Sequence, residues 1–111
     1  MHNKINRNYP IIRKALLIVH QKRSDPGLIG QKLIDRGYQL DIRRPINGDK
    51  LPDNMDNHYL AVIFGGPMSI NDVNQKYIKQ EISWIDIVLK SNKPFLGICL
   101  GAQMLAKNLG G

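Results

Sequence analysis

The chain has 111 residues, 42% of them hydrophobic, which suits one α/β-sized domain able to bury a core without staples. Its single cysteine, Cys99, excludes an internal disulfide framework and a zinc site built on paired thiols, and it points to a reducing, cytoplasmic setting. No apolar run nears the ~18 residues of a membrane span, residues 1–10 lack the apolar core of a secretory signal, and the +7 charge lies wholly in residues 1–44.

Within residues 1–44 the basic side chains come as scattered pairs, without interleaved aromatics or the spacing of a zinc finger or helix-turn-helix. A solvated face follows, with no specific nucleic-acid partner and no membrane partner. Residues 1–12 read as a polar tail. Residues 15–20 (ALLIVH) form a continuous apolar run, the pattern of a strand covered on both faces of a parallel sheet. Ser24 or Asp25 can cap a helix with Pro26 in its first turn; it runs to about Arg36, turns Ile29 and Leu33 inward, and stops at Gly37. Residues 38–43 (YQLDIR) alternate as a more exposed strand that Pro45 ends.

Residues 45–57, rich in Gly, Pro, Asp and Asn, read as a loop. A second apolar strand, 59–64 (YLAVIF), runs directly into Gly65-Gly66-Pro67. Asp72 and Gln75 resemble a capping box that opens a helix to about Lys90; Ile78, Ile82, Ile85 and Leu89 make its core stripe, with Trp84 beside them. After a turn at 92–94, residues 95–98 make a short buried strand and 100–109 a last helix. Strands alternating with helices specify a mostly parallel sheet wrapped on both sides, a flavodoxin-like three-layer α/β sandwich, and its functional sites belong at the carboxyl ends of the strands.

Chemistry concentrates at one of those ends. Gly97-Ile98-Cys99-Leu100-Gly101 lies between a predicted strand and a predicted helix. This is the nucleophile-elbow pattern with sulfur as the nucleophile, and small residues are needed two positions either side of it because the turn is tight. Cys99 also opens a helix, whose first amides and positive dipole end favour the thiolate. The Leu100 amide is the expected first donor to a developing oxyanion, and Gly65-Gly66 can turn a second bare amide toward the sulfur. No metal and no cofactor is expected.

Gly97-Ile98-Cys99-Leu100-Gly101-Ala102-Gln103, with Gly65-Gly66-Pro67-Met68-Ser69 upstream, resembles the class I (triad) glutamine amidotransferases, most closely the stand-alone group related to the amidotransferase domain of GMP synthase. The LLIVH strand and the DIRRP stretch also fit, so the likeness covers nearly the whole chain. It implies that Cys99 forms a γ-glutamyl thioester, that Gly66 and Leu100 supply the oxyanion hole, and that Gly65 and Gln103 help bind glutamine. The released ammonia would pass to an acceptor or synthetase partner of unknown identity.

The family's general base is a His paired with a Glu on a later strand, beyond the cysteine helix. Residues 1–111 would therefore be the amino-terminal part of a single amidotransferase domain, with a sheet incomplete on its carboxyl-terminal side, and inactive alone. The only histidines are His2, His20 and His58. His2 lies in the tail and His58 enters its strand at the amino end, while His20 stands at the correct edge with nothing in the sequence to orient it. It reads as a strand-end structural residue. Two alternatives stay open: a γ-glutamyl hydrolase or related cysteine peptidase of the same fold, and a non-catalytic binding or regulatory half-domain.

Overall fold

The two apolar runs become the two inner strands of a parallel sheet. The computed structural model describes residues 12–20, 27–65 and 76–110. Strands β1 (Arg13–Ile18), β2 (Tyr38–Arg43), β3 (Leu60–Ile63) and β4 (Phe95–Gly97) pair in the order β2-β1-β3-β4, every pair parallel. Helix α1 (Gly27–Asp35) connects β1 to β2, and α2 (Lys76–Ser91) connects β3 to β4. Helix α3 (Leu100–Asn108) leaves β4, and a short 3-10 turn, Pro45–Asn47, lies in the β2–β3 crossover.

The period of two along each strand sorts the side chains into two layers. Leu16 and Ile18 of β1 and Ala61 and Ile63 of β3 pack against Ile78, Ile85 and Val88 of α2 and Leu100 and Met104 of α3. Ala15, Leu17 and Val62 point the other way, toward Leu33 of α1. This is the expected three-layer α/β architecture, and in the described sheet β4 is an open edge with Leu96 50% exposed.

Boundaries follow pairing more closely than apolarity. β1 begins at polar Arg13, which registers with Tyr38, and it ends at Ile18, two residues before the apolar run does. On α2 the buried stripe is Ile78, Glu81, Ile85 and Val88 with Trp84, while Leu89 is 38% exposed and Ile82 only partly covered. The expected inward role of Leu89 is thus corrected: Val88, at the preceding position, takes it. Trp84 donates its indole N–H to the Pro52 carbonyl at 2.8 Å, so the indole also pins the β2–β3 loop. Pro26 and the Asp72–Gln75 capping box lie outside the described residues.

The amino side of that loop is held by charge. Arg43 makes two hydrogen bonds to the Asp41 carboxylate, at 2.8 and 2.9 Å, and also donates to the Lys50 carbonyl. His58 Nε2 stands 2.8 Å from the second Asp41 oxygen. The Arg43 hydrogen bonds hold the Asp41 carboxyl below its ordinary value of 3.8 despite partial burial, with His58 assisting. A depressed folded-state value means that this contribution is present above the unfolded value and is lost as pH falls through the folded one. Acid unfolding below pH ~4 should therefore be shallower in Asp41→Asn than in the parent. Equal pH dependence of the two melting temperatures would contradict this.

Candidate active site

Cys99 occupies a backbone conformation that L-residues rarely adopt. Its φ is 51° and ψ −106°, immediately before α3 starts at Leu100. Such a conformation costs about 1–3 kcal/mol and survives only where the surroundings enforce it. The enforcement here is steric. A Cβ on Gly97 would stand 2.7 Å from the Gly101 carbonyl carbon and oxygen, and one on Gly101 would stand 2.2 Å from the Ile63 carbonyl oxygen. Two glycines thus let the first turn of α3 lie directly on the backbones of β3 and β4.

The turn is closed by hydrogen bonds. Ile98 N–H donates to Ile63 O at 2.9 Å, extending the β3–β4 ladder, while Gly101 N–H donates to Ile98 O at 2.9 Å and Gln103 N–H to Cys99 O at 3.0 Å. The Leu100 amide lies at the helix's first position, where no carbonyl of the helix precedes it. Cys99 itself is exposed. A sulfur on a tight turn, open to solvent and backed by helix-start amides, has the arrangement that presents a nucleophile to a carbonyl carbon.

Strand register brings a second expected residue to the sulfur. Ile18, Ile63 and Gly97 are aligned across β1, β3 and β4, and His20, Gly65 and Cys99 each follow two residues further on, past the carboxyl ends of those strands. A Cβ on Gly65 would lie 3.1 Å from Cys99 Cβ and 3.8 Å from Sγ, so any side chain there would crowd the thiol. Gln103 is exposed, one helical turn beyond Cys99 and on the same face. Gly66 lies outside the described residues.

His20 is not the unoriented residue its sequence context suggests. Its Nε2 stands 2.6 Å from Glu81 Oε1, and both side chains are 0% exposed. Burial pushes the Glu81 carboxyl above its ordinary range, opposed by the hydrogen bond to His20. The other two polar atoms of the pair, His20 Nδ1 and Glu81 Oε2, have no hydrogen-bond partner among the described residues. The two side chains are closed to solvent and bonded to each other. Glu81 carried a missed signal: it lies three residues after Ile78 and four before Ile85, on the inward stripe.

Two further features lie apart from the thiol. His58 is 4% exposed at the amino end of β3, with Asp41 as its partner. A cavity of about 640 Å³ sits between the β2–β3 loop and α2, floored by Pro45, Leu51, Trp84 and Ile87, and it contains none of the elbow residues. Among the described residues no cluster of His, Cys, Asp and Glu could hold a metal, and no helix is long and apolar enough to cross a membrane.

Comparison with known proteins bears on the family and the fold. Residues 26–111 match the family model "Glutamine amidotransferase class-I". The chain is 31% identical over 97 residues to the glutamine amidotransferase-like protein YfeJ of Salmonella typhimurium, covering 84% of this chain and 41% of that one. It is 47% identical over 55 residues to a component of the glutamine-hydrolyzing GMP synthase of Sulfurisphaera tokodaii, covering 48% of this chain and 27% of the other. A solved glutamine amidotransferase from Thermotoga maritima superposes with a TM-score of 0.80 at 33% identity, over 91% of this chain and 44% of that one. One from Methylobacillus flagellatus gives 0.81 at 27% identity, over 90% and 40%. The chain thus spans less than half the length of these relatives. With the family model covering its elbow, most of its sheet and both later helices, the chain belongs to the class I glutamine amidotransferase family.

Proposed function

We propose that residues 1–111 carry the nucleophile half of a glutamine-hydrolysing site whose ammonia passes to an acceptor or synthetase partner. The observation that carries this reading is the Cys99 turn: an exposed thiol held at φ 51° by two glycines that admit no side chain. In the reaction the Cys99 thiolate attacks the side-chain amide carbon of glutamine, and the carbonyl oxygen becomes an oxyanion. The Leu100 and Gly66 amides stabilise that charge. Collapse breaks the C–N bond as the departing nitrogen takes a proton from water, which balances the proton given up when the Cys99 thiol ionised; ammonia leaves, and a γ-glutamyl thioester remains on Sγ. Water then hydrolyses the thioester to glutamate and returns the thiol.

Gly65 leaves room for the substrate beside the sulfur, and Gln103 contacts glutamine from the first turn of α3. A single thiol that must stay reduced fits a cytoplasmic setting. The hydrolytic step needs a positioned base. Since His20 is sealed against Glu81, the 111 residues alone acylate without turning over.

The test is the rate at which a diazoketone analogue of glutamine labels Cys99, set against iodoacetamide, which needs only a reactive thiol. The expected ratio favours the glutamine analogue over the matching asparagine analogue by at least about tenfold, the discrimination that one correctly placed methylene allows. Equal rates for the two analogues would contradict the reading.

A further inference from the structure

Resting on the glutaminase reading above, we propose that the buried His20–Glu81 pair is a positioning device that holds the carboxyl ends of β1 and β3 and the start of α2 in the register that places Gly65 against Cys99. His20, Gly65 and Cys99 each follow, by two residues, the strand positions Ile18, Ile63 and Gly97 that the register aligns at the carboxyl edge. Hydrogen bonds carry the sheet beyond its strands on both sides of β1: Val19 N–H donates to Arg43 O at 3.0 Å and Phe64 N–H to Ile18 O at 2.9 Å. The α2 end is a different matter. Helix α2 begins at Lys76, separated from Gly65 by residues 66–75, and Glu81 lies in its second turn. The 2.6 Å contact to His20 ties that turn directly to the strand edge, across 61 residues of sequence.

Stability alone does not call for this arrangement. Burying a histidine and a carboxyl whose Nδ1 and Oε2 find no partner among the described residues is costly, and apolar replacements of similar volume commonly fold as well or better. A directional bond fixes spacing in a way that apolar packing does not. The spacing has little slack, because a Cβ on Gly65 would already press on Cys99 Cβ at 3.1 Å.

The experiment compares the parent, Glu81→Gln, and the double variant His20→Phe/Glu81→Met, reading the melting temperature and the Cys99 labelling ratio of the diazoketone glutamine analogue to iodoacetamide. The double variant is expected to melt within a few degrees of the parent and to lose about tenfold in the ratio, as a displacement below 1 Å does at a reacting centre. Glu81→Gln keeps a hydrogen bond to Nε2 without the charge, and it should retain the parent ratio. If the double variant fails to fold, His20→Asn, which keeps a nitrogen on a shorter side chain, replaces it and should lose ratio with the fold intact.

A parent ratio in the apolar double variant, or in His20→Asn where that replaces it, overturns the proposal. So does a loss in Glu81→Gln as large as in the double variant, since charge and not position would then be at work. A parent that fails to discriminate glutamine from asparagine analogues overturns the glutaminase reading and this proposal with it. A discriminating parent with indifferent variants overturns this proposal alone.

Discussion

Gly101→Ala should unfold the region around the nucleophile. Its Cβ would meet the Ile63 carbonyl oxygen at 2.2 Å and the Ile63 carbonyl carbon at 2.9 Å. These are backbone atoms of an inner strand, so neither can swing aside. The added methyl can be accommodated only by lifting α3 off β3, which opens the contacts of Leu100 and Met104 with the core. A cost of about 3 kcal/mol or more follows, at the upper end of overpacking penalties, and a fall in melting temperature of about 12 °C or more. Gly97→Ala should behave alike, with its 2.7 Å approach to Gly101. Gly48→Ala is the control: its φ of 93° carries strain but nothing lies within 4 Å, so a cost of only about 1–2 kcal/mol is expected. Thermal unfolding followed by circular dichroism decides it. Gly101→Ala melting no lower than Gly48→Ala would contradict the close approach.

The second large effect concerns turnover. Incubated with glutamine, the 111-residue chain should release at most one ammonia per molecule and then stop. Acylation expels the amide nitrogen and uses the thiolate that the turn presents. Deacylation requires a base to activate water, and removing the base of a catalytic set costs orders of magnitude. Of the two histidines in the described residues, His20 is locked to Glu81 and His58 to Asp41 at the far edge of the sheet. Cys99→Ala should abolish even the stoichiometric release. An enzyme-coupled ammonia assay measures this, and steady release beyond one equivalent would show that a base is present after all.

Much of this was legible in the residues, for reasons that differ by element. The continuous apolar runs announced β1 and β3 because both faces of an inner parallel strand are covered, and the alternation in β2 marked its bounds as observed. The elbow was legible because its steric demands are local: Gly97 and Gly101 are required by atoms within a few residues and by one neighbouring strand. What escaped were pairings between distant polar residues. Nothing in the neighbourhood of His20 names Glu81, and nothing near Asp41 names His58. Each partner arrives through the sheet register and a helix phase, both tertiary properties. Leu89 lies outside the inward stripe for a related reason. On α2 the stripe begun by Ile78 and Ile85 is completed by Val88, and Glu81 is drawn inside because His20 waits there. Lys93 likewise reaches back to the His58 carbonyl at 2.7 Å, tying the turn before β4 to the start of β3.

That Cys99 attacks glutamine is tested most directly by the mass of the Cys99 peptide after the chain meets glutamine and is quenched in acid, which preserves a thioester. The expected product is a γ-glutamyl adduct on Cys99 that hydroxylamine removes, that asparagine does not form, and that is absent from Cys99→Ala. An unmodified Cys99 peptide at saturating glutamine, from a chain shown to be folded by its melting transition, would contradict it.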